Sequence, residues 1–156
     1  MRRGVLIAVL ALAGLMMLPS AGASARVKQR FFHTLDGNIS CAMLPDKKAR
    51  RKHHRKIPGF PGVARCDIQA HSWVAPPKPK WCPVDWGFGV EVTRKKGGRY
   101  VCAGDSVISL KSPALSPGAT RRVGRYACQV LETGVRCTND RTAHGFELSA
   151  DAVSLF

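Results

Sequence analysis

The stretch R-Y-A-C-Q-V-L-E-T-G-V-R-C, Arg125–Cys137, predicts a β-hairpin that a disulfide closes. If Leu131–Gly134 forms a turn with two central residues, the flanking strands pair so that Cys128 lies opposite Cys137. Opposite residues of antiparallel strands have Cα atoms about 4.5 or 5.5 Å apart, which is within the range that a disulfide spans. A bulge at Gly134 would shift the register by one residue and remove this opposition.

The other four cysteines extend the same pattern. G-N-I-S-C ends at Cys41 and G-V-A-R-C ends at Cys66, which predicts two paired strands separated by a long insertion. Loop closure costs little more for a long insertion than for a short one, so such a layout is tolerated. An even number of cysteines favours disulfides in a small exported domain, and zinc would favour C-x-x-C pairs, which the sequence lacks. We therefore predict the disulfides Cys41–Cys66, Cys82–Cys102 and Cys128–Cys137.

Short β-prone runs alternate with turn residues along the whole chain, and none shows sustained helical periodicity. Ser149 could cap a single helical turn over Ala150–Ser154. We predict an all-β fold: a small disulfide-stabilised antiparallel sheet domain, either a barrel or a sandwich, built from short hairpins. Its expected strands are Ile39–Met43, Val63–Ile68, Phe88–Thr93, Arg99–Ala103, Val107–Leu110, Arg122–Val130, Val135–Thr138 and Gly145–Leu148.

The first residues have the features of a signal peptide. Arg2 and Arg3 precede the apolar run Val5–Leu18, and Ala23-Ser24-Ala25 has the small-x-small pattern that signal peptidase cleaves. The run is shorter than the ~18 apolar residues that a membrane span needs, although a retained N-terminal anchor is the alternative. We predict a signal peptide over residues 1–25, cleaved near Ala25, and a single secreted or cell-envelope-associated domain over residues 26–156, with no transmembrane segment.

The chain is strongly cationic, with 25 Lys and Arg, 10 Asp and Glu and a net charge of +15. A basic tract, K-K-A-R-R-K-H-H-R-K, runs from Lys47 to Lys56. Pro45 before it and Pro58–Gly62 after it indicate a loop over residues 45–62, inserted in the first Cys–Cys hairpin. Because like charges repel one another, we expect this loop to be mobile and solvated at the surface.

The basic tract is also the strongest functional signal. Clustered cations bind phosphate or sulfate polymers through counterion release and read little sequence. The expected partners are anionic polymers or a membrane or cell-wall surface, without specific nucleic-acid recognition; the alternative is a loop that only aids solubility. The predicted binding residues are Lys47, Lys48, Arg50, Arg51, Lys52, Arg55 and Lys56.

Other residues allow two further hypotheses. A small hydrolase could use His144 with Asp105 or Asp140, with Ser106 or Ser109 as the nucleophile. The sequence has no nucleophile-elbow pattern, however, and Gly104-Asp105 is typical of a turn, so no catalytic residue is assigned. A protease-inhibitor-like interaction module is the second alternative, since a disulfide-braced scaffold can present a rigid loop.

No metal or cofactor is predicted from the histidines. His53 and His54 are surrounded by cations that oppose a metal ion, and His33 and His71 have no ligand spacing.

The three tryptophans, Trp73, Trp81 and Trp86, could form an aromatic platform for sugar rings or peptides. We expect them instead to pack in the core and against a connector, because a small β domain needs large apolar side chains. The connector is Pro76–Pro79, whose composition predicts polyproline II.

An ordered set of short motifs resembles a family of small secreted actinobacterial proteins that is known only as a domain of unknown function. The resemblance implies secretion, a single domain and disulfides, and it implies no activity. The basic tract lies where we expect that family to vary. The motifs are F-x-x-L-D-G-N-I-S-C (Phe32–Cys41), R-C-D-I (Arg65–Ile68), W-C-x-x-D-W-G (Trp81–Gly87), Y-V-C-A-G-D-S-V (Tyr100–Val107), G-V-R-C (Gly134–Cys137) and T-A-H-G-F-E-L (Thr142–Leu148).

Overall fold

A computed structural model describes residues 31–46, 48, 50–52, 55–57 and 61–156, so the predicted signal peptide over residues 1–25 lies outside it. This part of the chain is all β, as predicted, and contains no helix. It accordingly has no helix long and apolar enough to cross a membrane. The strands are β1 (Phe31–Thr34), β2 (Ile39–Leu44), β3 (Arg50–Lys52), β4 (Arg55–Ile57), β5 (Val63–Ile68), β6 (Trp86–Thr93), β7 (Arg99–Cys102), β8 (Ala114–Leu115), β9 (Thr120–Val123), β10 (Tyr126–Val130), β11 (Gly134–Asn139), β12 (Gly145–Ser149) and β13 (Val153–Leu155).

The strands form two main sheets that pack face to face. One has the order β7-β6-β5-β2-β1-β8, the other has the order β13-β12-β11-β10-β9, and β3 pairs with β4 as a separate ribbon. All neighbours are antiparallel except β1 and β8. Neither sheet closes on itself, so of the two predicted architectures the sandwich is the one observed.

The C-terminal hairpin has the register that its sequence predicts. β10 and β11 pair without a bulge, and Cys128 lies opposite Cys137 with a Cα–Cα distance of 4.0 Å. The turn is closed by Leu131, whose N–H donates to the carbonyl of Gly134 over 2.7 Å. The local turn therefore fixes which faces of the two strands enter the core.

The two remaining predicted disulfides are also confirmed. Cys41 on β2 lies opposite Cys66 on β5, with Cα atoms 4.1 Å apart. Cys82 joins Cys102 at the end of β7, with Cα atoms 5.9 Å apart. The first of these bridges holds together the strands on either side of the basic tract.

Two of the disulfides meet at the centre of the sandwich. The Sγ atoms of Cys66 and Cys137 are 3.7 Å apart, and both residues are fully buried. Each sulfur is already bonded to its own partner, so this is a van der Waals contact between the sheets. The aromatic residues Phe32, Tyr126 and Phe146 are buried in the same core.

The expected strand Arg122–Val130 is wrong as a single element. The structure divides the segment into β9 and β10, which pair with each other. The turn between them contains Gly124 with a φ of 62°, a left-handed conformation that glycine adopts without strain. The expected strand Val107–Leu110 is also wrong, since this segment forms no sheet pairing.

The expected helical turn after Ser149 is wrong as well. The Ser149 hydroxyl accepts hydrogen bonds from the N–H groups of Asp151 and Ala152, as a cap would. The chain then turns back as β13, because Phe156 exchanges two backbone hydrogen bonds with Gly145 on β12. Backbone pairing with β12 thus replaces the hydrogen bonds that a helical turn would form.

Candidate functional site

The basic tract is not the irregular loop that its charge predicts. It contains β3 and β4, which form an antiparallel ribbon between the paired strands β2 and β5. Five of the six residues in these two strands are Lys or Arg. Of the other predicted binding residues, Lys48 is exposed, and Lys47 lies outside the described residues together with His53 and His54.

The register of this basic ribbon places cationic residues opposite one another. Arg51 lies opposite Lys56, and Lys52 lies opposite Arg55. Like charges directly opposite in an antiparallel pair destabilise it by roughly 0.2–1 kcal/mol each. The ribbon therefore concentrates positive charge, and repulsion between its two strands weakens their pairing.

A set of polar contacts anchors the base of the ribbon to the sandwich. The Asp46 carboxylate accepts the Gly62 N–H at 2.8 Å and pairs with Arg125 Nε at 2.7 Å. The Tyr126 hydroxyl donates to the Gly62 carbonyl over 2.6 Å. A Cβ at Gly62 would lie 2.6 Å from the Leu44 carbonyl oxygen, so this close approach requires glycine. Both ends of the insertion are thereby fixed.

These contacts shift the pKa of two groups. The Gly62 N–H, followed by the Arg125 guanidinium, lowers the pKa of Asp46 despite its partial burial. Burial, followed by the nearby Asp46 charge, raises the pKa of Tyr126 to about 12. At neutral pH Asp46 is therefore anionic and Tyr126 is a neutral hydrogen-bond donor.

The candidate catalytic residues Asp105 and Ser106 belong to a structural network. Arg65 on β5 donates from Nε and Nη2 to the two oxygens of Asp67, each at 2.9 Å. Arg65 Nη1 also donates to Asp105 Oδ1 at 2.9 Å. Asp67 is fully buried and accepts two more hydrogen bonds, from Ser106 Oγ at 3.1 Å and from the Val107 N–H at 2.9 Å.

This network joins the loop after β7 to the face of β5. The Arg65 guanidinium lowers the pKa of Asp105, whose carboxylate is exposed and ion-paired. Ser109, the other candidate nucleophile, donates its N–H to the Ser40 hydroxyl and accepts the Ser112 hydroxyl at its carbonyl. These contacts give Asp105, Ser106 and Ser109 a structural role, because they fix the loop after β7 to the sheet.

His144 is exposed and lies apart from this network of contacts. It follows Ala143, which has a φ of 58°, in the turn between β11 and β12. Asp140 forms an ion pair with Arg122. Within the described residues, no hydrogen bond joins the His144 ring to a carboxylate or a hydroxyl. The described contacts therefore supply no acid–base pair for hydrolysis.

The three tryptophans form one cluster with two other rings. Trp81 meets Trp86 at a centroid distance of 5.7 Å, and Trp86 meets Tyr100 at 5.8 Å. Tyr100 in turn lies 5.9 Å from Trp73, which stacks on His71 at 3.8 Å. Trp73, Trp86 and Tyr100 are half-buried, whereas His71 and Trp81 are exposed, Trp81 to 67%.

Searches against protein families returned one informative result. Residues 8–156 match the model of a family of unknown function, DUF6636. The chain belongs to the DUF6636 family. No match was found among curated proteins or among solved structures.

In the described part of this DUF6636 chain, one group of cysteine sulfurs lies close enough together to suggest a metal site, but these sulfurs are not free to bind a metal. Cys41, Cys66 and Cys137 bring their sulfurs within 4.8 Å of one another. All three sulfurs are bonded in disulfides, so none is a thiolate ligand. His33 hydrogen-bonds to Ser112, and the His71 Nδ1 bonds to the Trp73 carbonyl.

Sequence reasoning about this DUF6636 domain missed the residues that hold its loops. The motif R-C-D-I contains Arg65 and Asp67, two charges with a cysteine between them on a strand. Side chains two apart on a strand lie on one face, which is a signal for an ion pair. No pattern in the neighbouring sequence indicated a role for Asp46, because its partners Gly62 and Arg125 are distant in sequence.

Proposed function

We propose that this protein is an exported, non-enzymatic domain that associates with anionic surfaces or polyanions through its basic ribbon. The observation that carries the proposal is the register of β3 and β4, which sets Arg51 against Lys56 and Lys52 against Arg55. Phosphate, sulfate or carboxylate groups lying along the ribbon would offset this repulsion. Binding would also release condensed counterions from the polyanion, which makes it strongly salt-dependent.

The way the ribbon is mounted supports the same proposal. The Cys41–Cys66 bridge and the Asp46–Gly62 hydrogen bond hold its base on the sandwich. A fixed base lowers the entropy that a long insertion loses on binding. The ribbon is therefore suited to present charge to a large partner such as a polymer or a surface.

Export is proposed on separate grounds. Three disulfides are expected in an oxidising compartment and are rare in the cytosol. The apolar run Val5–Leu18 and the Ala23-Ser24-Ala25 pattern support cleavage near Ala25, and so does the resemblance to secreted actinobacterial proteins. N-terminal sequencing of the protein recovered outside the cell should begin at Arg26, and a start at Met1 would contradict cleavage.

The test of the ribbon compares two variants that each lose four positive charges. The ribbon variant carries Gln at Arg51, Lys52, Arg55 and Lys56. The control carries Gln at four exposed cations elsewhere, namely Lys95, Lys96, Lys111 and Arg141.

Both variants are run over immobilised heparin in a salt gradient and mixed with anionic liposomes. We expect the ribbon variant to elute at a clearly lower salt concentration than wild type and the control to stay close to wild type. The ribbon variant should unfold no earlier than wild type, because the like-charge pairs are gone. If the two variants elute at the same salt concentration, the ribbon is not the binding element and retention depends on net charge alone.

A further inference from the structure

The connection between β5 and β6, residues 69–85, exposes an unusual amount of apolar surface. It contributes three of the eight exposed large hydrophobic residues of the described chain. These are Val74, with 91% of its surface exposed, Trp81 with 67% and Val84 with 40%. Singly exposed apolar residues are normal, but a large indole exposed to this extent is a candidate for contact with a partner.

Trp81 sits at the tip of a fixed turn. The Cys82 N–H donates to the Pro79 carbonyl over 2.9 Å, so Lys80 and Trp81 are the two central residues. Cys82 is bonded to Cys102 on β7, which ties the turn to the edge of the sheet. An indole held out on a braced turn has little conformational entropy to lose when it is buried by a partner.

The cluster geometry argues against a platform for flat ligands. Trp81 meets Trp86 edge to face at an interplanar angle of 89°, and Trp86 meets Tyr100 at 43°. A flat platform built from several rings needs rings that lie near one plane, and these rings do not. The indole N–H of Trp86 is also used internally, since it donates to the Pro76 carbonyl at 2.9 Å.

The charges beside Trp81 identify a different partner. Lys78 and Lys80 are exposed on the same connection, and its single acid is the exposed Asp85. Indole prefers the boundary between headgroups and acyl chains, and lysine can keep its ammonium among the headgroups while its stem is buried. Lysines near a membrane also gain from anionic lipids.

We propose that the Pro79–Cys82 turn inserts Trp81 into the headgroup region of anionic lipid bilayers. Lys78 and Lys80, which are exposed on the same connection, engage lipid phosphates. This site does not depend on the basic ribbon. The ribbon follows the Leu44 and Val63 ends of β2 and β5, whereas the connection leaves β5 from its other end, after Ile68.

The test uses vesicles of neutral phosphatidylcholine, with and without about a third of phosphatidylglycerol, in which some lipids carry bromine near the headgroup. Bromine quenches a nearby indole, and the three tryptophans of the chain are Trp73, Trp81 and Trp86. We expect quenching of wild-type fluorescence on anionic vesicles. Trp81→Phe should lose most of the quenching, because Trp73 and Trp86 are half-buried on the sandwich.

Co-sedimentation measures the strength of binding. Trp81→Ser should weaken binding to anionic vesicles by about tenfold or more. Lys78→Gln and Lys80→Gln should each weaken it by about fivefold. Leu110→Ser is the matched control, because Leu110 is 64% exposed outside the connection, and it should bind like wild type.

Two results would overturn the proposal. One is an unquenched wild-type protein on anionic vesicles, even if the protein sediments with them through its basic ribbon; that result would leave the proposed function standing. The other is a shift of Trp81 emission caused by soluble oligosaccharide and not by vesicles. Loss of heparin binding in the ribbon variant with intact Trp81 quenching would instead show that the two sites act separately.

Discussion

The buried carboxylate of Asp67 makes the stability of the fold sensitive to substitution at this position. It accepts two hydrogen bonds from Arg65, one from Ser106 and one from the Val107 N–H. Asp67→Asn keeps the size of the side chain but replaces one oxygen with an NH₂ group. That group cannot accept a hydrogen bond, and the amide carries no charge to pair with the guanidinium.

The expected loss of stability in Asp67→Asn follows from the burial of the Arg65–Asp67 ion pair. The side chain of Asp67 is 0% exposed and that of Arg65 is 12% exposed. Removing one partner of a buried pair costs about 3–5 kcal/mol, because a charge remains without its partner. Arg65 keeps Asp105, whose side chain is 82% exposed and is therefore a weak replacement. We expect a loss near the lower end, about 3 kcal/mol, which lowers Tm by about 12 °C in a domain of this size.

Urea unfolding under non-reducing conditions measures this loss, with Asp85→Asn as the control because Asp85 is exposed and forms no ion pair in the described chain. Amide exchange at Val107 provides a local readout, since its N–H loses a buried acceptor. A variant that unfolds within 1 kcal/mol of wild type, with unchanged exchange at Val107, would refute the assigned role of the network.

Three further predictions concern the ribbon base and the core. Tyr126→Phe should cost about 1–1.5 kcal/mol at neutral pH. Since the folded pKa of Tyr126, about 12, exceeds the ordinary value of 10.0, ionisation of Tyr126 should reduce wild-type stability from pH 10 to 12. Burial also raises the pKa of Tyr100, so the absorbance titration compares wild type with Tyr126→Phe, which should lose the phenol that ionises near pH 12. Because the Gly62 N–H and then the Arg125 guanidinium lower the pKa of Asp46, the ionised carboxylate stabilises the fold above the unfolded pKa near 3.8, and this contribution is lost as pH falls from there through the folded pKa. The stability gap between wild type and Asp46→Asn should therefore narrow on acidification, and a constant gap would contradict this. Replacing both Cys128 and Cys137 with Ala should cost about 3 kcal/mol from the unfolded state alone, and a loss under 1 kcal/mol in urea would contradict the loop-closure account.

The scaffold could be predicted wherever neighbouring sequence decides it. The stretch Arg125–Cys137 contains both its strands and its turn, so counting residues from the turn places Cys128 opposite Cys137. Cys41 and Cys66 are predicted from the same layout in G-N-I-S-C and G-V-A-R-C, since a long insertion between paired strands costs little more than a short turn. Reasoning from neighbouring sequence fails at Arg122–Val130, where only Gly124 marks the turn that divides the segment.

The candidate sites were harder to predict because their geometry depends on distant contacts. The charge of Lys47–Lys56 favours a solvated coil, and the sequence alone gives no reason for strands there. Once β2 and β5 pair, the insertion has both ends fixed, and backbone hydrogen bonds of the ribbon compete with charge repulsion. The tryptophans are close in sequence, yet their angles depend on Tyr100, which reaches them from β7.

The position of the two proposed sites follows from how the sandwich is stabilised. The Cys41–Cys66 and Cys128–Cys137 disulfides occupy the centre of the core, where every sulfur is bonded and buried. These sulfurs are therefore neither free nor exposed, and both proposed sites lie on connections between strands instead. The ribbon and the Trp81 turn leave β5 from opposite ends, and each has its own covalent brace beside it. Changing either connection should therefore alter binding while the sandwich stays folded, which is the behaviour that the charge-matched ribbon variants and the Trp81 variants are designed to reveal.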